Sequence, residues 1–282
     1  MTSHLSGTTP FYVRLAMSGV PKSGSLIIPE WLQSPEGRDY ASCILRKKKR
    51  RTFGKPDTLH SAGLIERPVL PPQLPADVAS YKIFVSGKSG VGKTSLIAKL
   101  CGLEVPTVHH ETTGIQTSST YWPVRPRDSE RPIIFAFHFW DCGESALKKF
   151  DHILPACKEK ADAVLFLFSF TDRSSFEDVP ALISRTLSQE ENVARVVIGT
   201  KLDQFMHTDV TEQDIRDFQQ TWQLPVMRVS SVSGPRLSDG RAELADAASL
   251  LNGLAEVLWH RDQIAAGLVD VGQCGSQEVI CL

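Results

Sequence analysis

Residues 87–94 read GKSGVGKT and match the pattern Gly-x-x-x-x-Gly-Lys-Thr of a phosphate-binding loop. The preceding residues 81–86, YKIFVS, are typical of a buried strand, and residues 93–100 favour a helix. A strand, a glycine-rich loop and a helix in this order let backbone amides point at phosphate oxygens beside a helix N-terminus. A glycine-rich turn with an incidental lysine is the alternative for the loop alone, and the flanking elements favour the phosphate site.

Two side chains of the loop carry the expected chemistry. Lys93 would neutralise the β- and γ-phosphates of a nucleotide. Thr94 would give a hydroxyl oxygen to Mg²⁺, which prefers oxygen ligands. The nucleotide-binding residues predicted in this segment are Ser89, Gly90, Val91, Gly92, Lys93, Thr94 and Ser95.

The chain beyond the loop alternates strand and helix patterns. Short apolar runs at 133–140, 163–168 and 193–199 predict buried strands. Helices fit between them, and residues 174–177, SSFE, match a capping box at a helix start. Apolar residues at helical spacing are Leu147, Phe150 and Leu154 in one segment, and Leu244, Ala248, Leu251, Ala255 and Leu258 in a last helix from Arg241 to about Trp259. This alternation predicts an α/β fold with a mainly parallel sheet covered on both faces.

Composition limits the class of protein. The 282 residues are 41% hydrophobic and 22% charged with a formal net charge of −1, so we expect a soluble cytoplasmic protein without general affinity for nucleic acid. Neither a signal sequence nor an apolar run of about 18 residues is apparent. The cysteines lack a CxxC pair and are interpreted as reduced thiols: Cys43, Cys101, Cys142, Cys157, Cys274 and Cys281.

Three regions are predicted along the chain. Residues 1–78 form a proline-containing, largely irregular extension, residues 79–265 the nucleotide-binding domain, and residues 266–282 a flexible tail. Within the extension, residues 29–45 fit a short helix anchored by Trp31, Tyr40 and Ile44. A basic run comprises Arg46, Lys47, Lys48, Lys49, Arg50 and Arg51. Three interpretations of this run remain open: peripheral contact with an anionic membrane, a nuclear-import or acidic-partner patch, and a solvated linker.

Later segments separate a GTPase from a nucleotide kinase or ATPase. Asp141 ends an apolar strand, where its carboxylate would hold a Mg²⁺-bound water while Gly143 contacts the γ-phosphate, and a helix-capping aspartate is the alternative. Asp203, in the segment Thr200-Lys201-Leu202-Asp203, would accept the N1 and N2 hydrogens of guanine, a donor pair that adenine lacks. A backbone amide at Ser231 or Val232 would meet the guanine O6.

The order and spacing of these segments resemble the Ras superfamily of small GTPases, over about residues 80–262. The resemblance implies a phosphate-loop small GTPase fold with a six-stranded sheet, binding of GTP or GDP, and Mg²⁺. Thr112 lies nineteen residues after Lys93, as in this family, and would be the second protein ligand to Mg²⁺; a β-turn threonine is the competing interpretation. Trp140, before Asp141, is similar to the Rab pattern.

Two departures from the family pattern concern chemistry. Glycine comes two positions after Asp141, whereas the family has it three positions after this aspartate. Glu144 is the nearest polar substitute for the catalytic glutamine that orients the attacking water. A carboxylate is repelled by a γ-phosphate and donates no hydrogen bond, so intrinsic hydrolysis should be slow. Thr200 replaces the asparagine of Asn-Lys-x-Asp, and we expect lost contacts to the base and to the phosphate loop.

The sequence looks more specifically like the Rem- and Rab-like small GTPases of the ciliogenesis and planar-polarity effector complex. This resemblance covers residues 84–94, 109–117 and 139–151, with 29–31 and 43–47 in the extension. That resemblance implies Inturned and Fuzzy as partners and a role in cilium assembly, basal-body cargo recruitment and vesicle trafficking. The ending VICL is not a prenylation box, so no prenyl anchor is expected.

Three functions remain open at this point. The first is a GTP-dependent switch that recruits effectors through ordered switch segments. The second is a pseudo-GTPase scaffold that does not cycle nucleotide, suggested by Glu144 and Thr200. A metabolic kinase or ATPase is the third, and it lacks support because no lid-like arginine cluster is apparent.

Overall fold

The structure is a computed structural model that describes residues 25–44, 67–103, 105–106, 108, 110–188, 192–230 and 241–268. The basic run at 46–51 and the predicted guanine contacts Ser231 and Val232 lie outside these residues.

A six-stranded sheet forms the centre of the described chain, with strand order β2-β3-β1-β4-β5-β6. The strands are β1 Asp77–Gly87, β2 Ile115–Val124, β3 Ile133–Cys142, β4 Ala163–Ser169, β5 Ala194–Thr200 and β6 Val226–Arg228. Only the β2–β3 pair among these strands is antiparallel, which confirms the predicted mainly parallel sheet. The inner strands read as continuous apolar runs because helices cover both of their faces.

Helices pack on both faces of the sheet. They are α1 Pro35–Ile44, α2 Lys93–Leu100, α3 Glu144–Lys149, α4 Ile153–Lys158, α5 Arg173–Glu177, α6 Val179–Thr186, α7 Glu212–Trp222 and α8 Arg241–Ala265, with 3₁₀ turns at Pro29–Gln33 and Leu202–His207. Side chains of α2 and α8 share one hydrophobic core with β1 and β3, and side chains of α3 to α7 share a second core on the opposite face. Within the described ranges, none of the helices combines the length and apolar composition needed to span a bilayer.

The helical spacing of Leu147, Phe150 and Leu154 does not correspond to one continuous helix. The backbone of Phe150 is extended, with φ −130° and ψ 106°, and it separates α3 from α4. Leu147 and Leu154 pack against the second core, whereas the Phe150 side chain is 42% exposed. The apolar spacing therefore predicted correctly that two of the three side chains pack against the core, but the three residues do not lie on one helix.

The predicted capping box at residues 174–177 is also wrong. Asp172 is the N-cap of α5, and its Oδ1 accepts hydrogen bonds from the Ser175 N–H at 3.3 Å and from the Ser174 hydroxyl at 2.6 Å. An aspartate one position before the helix satisfies the free amides as well as a serine would. A reciprocal capping box does occur at α7, between Thr211 and Asp214.

Part of the N-terminal region packs against the nucleotide-binding domain. Trp31, Tyr40 and Ile44 are buried, as the sequence predicted. Ile27 is 2% exposed and joins the core shared by β1, α2 and α8. Residues 25–44, here called the docked segment, therefore complete the hydrophobic core beside β2 and α8. Strand β1 begins at Asp77, two residues before the predicted start of the domain.

Burial determines how the cysteines of the described chain should react. Burial raises the pKa of Cys101 to about 12 and is also the main cause that raises the pKa of Cys157 to about 12. Because the thiolate is the nucleophile, a raised pKa means very little reactive species at pH 8. We expect iodoacetamide at pH 8 to leave both thiols unmodified in the native protein and to modify half-buried Cys43 before either of them.

Peptide mapping by mass spectrometry, before and after unfolding in urea, measures this order of reaction. Denatured protein is the control, because all three thiols should then react alike. Native labelling of Cys101 as fast as Cys43 would contradict the prediction.

Candidate nucleotide and metal site

The phosphate loop connects β1 to α2. Gly90 and Gly92 have φ of +81° and +94°, a left-handed conformation that side-chain-bearing residues rarely adopt, so glycine is required at both turns. Lys93 opens α2 and is 8% exposed. Its ammonium lies over the loop and donates to the carbonyl oxygens of Gly87 at 2.8 Å and Lys88 at 3.0 Å.

The charge of Lys93 is surrounded by acidic groups. Burial lowers the pKa of Lys93, and the carboxylates of Asp141, Glu144 and Glu111 oppose that effect. Three carboxylates from two separate segments of the chain thus stabilise the charge of one buried ammonium. This balance makes the pocket suited to a bound cation together with an anion.

Three predicted Mg²⁺ ligands converge in the structure. The Thr94 hydroxyl donates to Asp141 Oδ2 at 2.6 Å, and the Thr112 hydroxyl donates to the same oxygen at 3.1 Å. The two hydroxyl oxygens lie 3.3 Å apart. The three side chains come from the start of α2, from the segment before β2 and from the end of β3.

The buried carboxylate in this cluster is incompletely paired. Asp141 is 2% exposed, and its Oδ1 has no hydrogen-bond partner among the described residues. An unpartnered buried carboxylate oxygen is costly unless a cation or water occupies the site. The donor set of one carboxylate and two hydroxyls is the chemistry that Mg²⁺ prefers, so these residues fit the predicted ion.

The two segments that carry Thr112 and Asp141 also contact each other directly. We call residues 110–115 the first switch segment and residues 141–150 the second. A Cβ atom on Gly143 would lie 2.1 Å from the Thr112 carbonyl oxygen, which explains why glycine occupies position 143. Glu111 accepts hydrogen bonds from the Ser145 N–H at 2.8 Å and from its hydroxyl at 2.7 Å. No role was predicted for Glu111 from the sequence, and only its position beside Thr112 could have suggested one.

Glu144 points toward the phosphate loop. Its Oε2 accepts the Ser89 N–H at 2.7 Å, and its Oε1 pairs with the Lys148 ammonium at 2.6 Å. The bond from Lys148, assisted by the bond from Ser89, lowers the pKa of Glu144, so the side chain is anionic near neutral pH. The residue expected to replace the catalytic glutamine therefore binds the loop backbone.

The predicted base-contacting residues follow β5. Lys201 has φ +58°, and Asp203 Oδ1 accepts a hydrogen bond from the Ser230 hydroxyl at 2.8 Å. Ser230 is the second residue after β6, and no role was predicted for its side chain. Its hydroxyl fixes the orientation of the Asp203 carboxylate. A serine after a short strand is too common a pattern to identify this contact from sequence.

The predicted loss of a loop contact at Thr200 is wrong. Thr200 is fully buried, and its hydroxyl lies 2.5 Å from the Val91 carbonyl oxygen of the phosphate loop and 3.0 Å from that of Phe168. A short hydroxyl side chain therefore connects the predicted base-binding segment to the loop, although we had expected this contact to be lost where threonine replaces asparagine.

Replacing this hydroxyl by a methyl group should weaken the connection. We expect Thr200→Val to lower the free energy of unfolding by about 1–3 kcal/mol, because two buried carbonyl groups lose a donor. Thermal unfolding at a fixed nucleotide concentration measures the change. Thr120→Val is the matched control: Thr120 is equally buried, and its hydroxyl has no partner in the described chain, so its loss should be neutral or stabilising. Equal effects of the two variants would contradict the role of Thr200.

Comparison with known proteins agrees with this architecture. Residues 82–248 match the Ras family. The chain is 71% identical over 260 residues to Ciliogenesis and planar polarity effector 2 of Xenopus tropicalis, an alignment that covers 90% of this chain and 98% of that protein. It is 59% identical over 258 residues to the Homo sapiens protein of the same name, with 90% and 96% covered.

A more distant relative matches about half of the chain. GTP-binding protein REM 2 of Rattus norvegicus is 28% identical over 138 residues, which cover 48% of this chain and 38% of that protein. The matched residues 82–248 include the phosphate loop, both switch segments and Asp203. By fold, by the arrangement of these segments and by sequence, the chain belongs to the Ras family.

Proposed function

We propose that this protein is a Rab-like GTP-binding molecular switch with weak intrinsic hydrolysis. The observation that carries the proposal is the convergence of the Thr94 and Thr112 hydroxyls on Oδ2 of the buried Asp141 carboxylate, whose other oxygen, Oδ1, has no partner in the described chain. In this proposal Thr94, Thr112 and Asp141 would hold Mg²⁺, whose charge would offset that of the phosphates, and Asp203, oriented by the Ser230 hydroxyl, would select guanine. When bound, GTP supplies the third phosphate to which the switch segments respond.

The proposed binding residues are those predicted from sequence. Loop amides from Ser89 to Ser95 would contact the phosphates, and Lys93 would leave the Gly87 carbonyl to neutralise them. Gly143 would face the γ-phosphate, Thr200 and Lys201 would support the base, and Ser231 or Val232 would meet the guanine O6. We also propose the predicted division into an extension, a domain over 79–265 and a tail, with β1 reaching back to Asp77 and residues 25–44 of the extension packed against the domain.

Slow hydrolysis follows from the chemistry of Glu144. A carboxylate has no hydrogen to donate to an attacking water, whether it is bound to the Ser89 N–H and Lys148, as in this structure, or displaced by the γ-phosphate. An anionic group beside the γ-phosphate would also oppose approach of hydroxide. GTP would then persist, and the surface formed by the switch segments would persist with it.

That surface is the proposed site of partner binding. Exposed apolar side chains occur near both switch segments: Val108 is 61% exposed, Ile115 is 37% exposed and Phe150 is 42% exposed. The relatives named Ciliogenesis and planar polarity effector 2 support an effector role in ciliogenesis and planar polarity. More specifically, we propose a complex with Inturned and Fuzzy at the centriole or basal body, acting in cargo recruitment, vesicle trafficking and exocytosis, with the basic run assisting at anionic membranes.

Two measurements test the switch. Nucleotide released from the purified full-length protein is identified by mass spectrometry, and single-turnover GTP hydrolysis is measured with and without Inturned and Fuzzy. We expect bound GTP and GDP, slow intrinsic hydrolysis and stronger binding of the partner pair to the GTP form. Equal partner binding with GTP, GDP and no nucleotide would contradict the switch.

A scaffold that does not cycle nucleotide is the second candidate. One observation favours it: the Lys93 ammonium and the Ser89 amide already donate hydrogen bonds to oxygen atoms of the protein itself. An empty pocket after purification, with no binding of added GTP or GDP, would support the scaffold over the switch.

A further inference from the structure

One phosphate-loop amide is already bound to an anion of the chain itself. The Ser89 N–H donates to Glu144 Oε2 at 2.7 Å, in a loop whose amides serve to bind phosphate oxygens. The Lys93 ammonium, the other principal donor, is satisfied by the carbonyl oxygens of Gly87 and Lys88. Carbonyl oxygens are neutral and are easily exchanged for a phosphate, whereas the Glu144 carboxylate carries a full negative charge.

Glu144 is held where it is by contacts on both of its oxygens. Lys148, one turn later on α3, pairs with Oε1 at 2.6 Å, and the Glu144 side chain is 26% exposed. The hydrogen bonds to both oxygens stabilise the ionised form. The carboxylate therefore stays charged and close to the loop at neutral pH.

Movement of Glu144 would move the rest of the second switch segment. Glu144 is the first residue of α3, and the next residue, Ser145, is bound to Glu111 of the first switch segment. Gly143, on its other side, lies against the Thr112 carbonyl. Displacing the Glu144 carboxylate from Ser89 thus strains contacts that join the two switch segments.

We propose that Glu144 is an internal competitor of the terminal phosphate, so that it lowers the affinity for GTP relative to GDP and links arrival of the third phosphate to movement of α3. This inference rests on the proposed nucleotide binding and adds a specificity-determining residue to it. A diphosphate leaves the Ser89–Glu144 contact intact, whereas a triphosphate brings negative charge next to the carboxylate and must displace it. Coulomb repulsion between two such groups is the physical cause.

The test compares Glu144→Gln and Glu144→Ala with the native full-length protein in the presence of Mg²⁺. Fluorescent GDP is displaced by GDP or by a non-hydrolysable GTP analogue, which gives the ratio of the two affinities without any turnover. Because the charge is the cause, both variants should raise the affinity for the GTP analogue relative to GDP by about tenfold. Glutamine retains an oxygen that can accept the Ser89 N–H, so this variant should fold like the native protein.

Glu177→Gln is the matched control. Glu177 also forms a helical ion pair across four residues, with Arg173 at 2.9 Å, but it does not contact the phosphate loop. Its ratio of affinities should equal that of the native protein. A second readout is hydrogen exchange of the Ser89 amide in the GDP form, which should be faster in Glu144→Ala than in Glu177→Gln.

The outcomes separate the two proposals. If fluorescent GDP binds and the GTP-to-GDP ratio is unchanged in both Glu144 variants, the competition is overturned while nucleotide binding stands. If the native protein binds no guanine nucleotide, the proposed function fails and the competition fails with it. A raised ratio in both variants, with the control unchanged, supports the inference.

Discussion

Asp141→Asn should make nucleotide retention almost independent of Mg²⁺. The native carboxylate accepts hydrogen bonds from Thr94 and Thr112 through Oδ2 and leaves Oδ1 without a partner in the described chain. Asparagine keeps an oxygen for the two hydroxyls but removes the negative charge that attracts a divalent cation. Loss of a supporting ligand of this kind lowers metal affinity by about 10- to 100-fold.

Dissociation of fluorescent GDP, with excess Mg²⁺ and with EDTA, measures this effect. EDTA should accelerate release from the native protein strongly and from Asp141→Asn only slightly. Asp217→Asn, an exposed position on α7, is the control and should behave like the native protein. An unchanged EDTA effect in Asp141→Asn would show that this carboxylate does not support the metal.

Glu256→Ala should release the docked segment and destabilise the protein. The Glu256 carboxylate accepts three hydrogen bonds from residues 25–27: from the Ser25 hydroxyl at 2.9 Å, the Leu26 N–H at 2.6 Å and the Ile27 N–H at 3.1 Å. Hydrogen bonds to a charged group contribute about 1.5–3 kcal/mol each and are not additive. We expect a loss of about 2–4 kcal/mol in the free energy of unfolding, with faster hydrogen exchange over residues 25–44.

Thermal and urea unfolding of the full chain at fixed nucleotide concentration measure the stability change. Glu256→Gln should fall between alanine and the native protein, because its amide offers one acceptor oxygen instead of two. Glu159→Ala, at an exposed position after α4, is the surface control. If Glu256→Ala and Glu159→Ala were equally stable, the docking contacts would contribute nothing measurable.

The docked segment was the largest feature that the sequence underestimated. Trp31, Tyr40 and Ile44 were recognisable as anchors, but their spacing could not reveal the surface that they cover. The contacts join residues more than 200 positions apart, such as Ile27 with Glu256, and Trp122 donates to Asn252 at 2.7 Å beside them. Glu256 reads as an ordinary polar position on a long helix, because local periodicity carries no information about such distant pairs.

By itself, the sequence predicted the phosphate loop and the mainly parallel sheet, because strand and helix patterns and the loop glycines are local signals. The resemblance to the Ras superfamily added the number of strands and the proposed Mg²⁺ ligand Thr112. Only the tertiary structure decided how these residues are connected. It placed Glu144 on the Ser89 amide, Thr200 on the Val91 carbonyl and Glu111 on Ser145. Each of these contacts joins separate segments, and a side chain's partner across such a distance depends on how the whole chain packs.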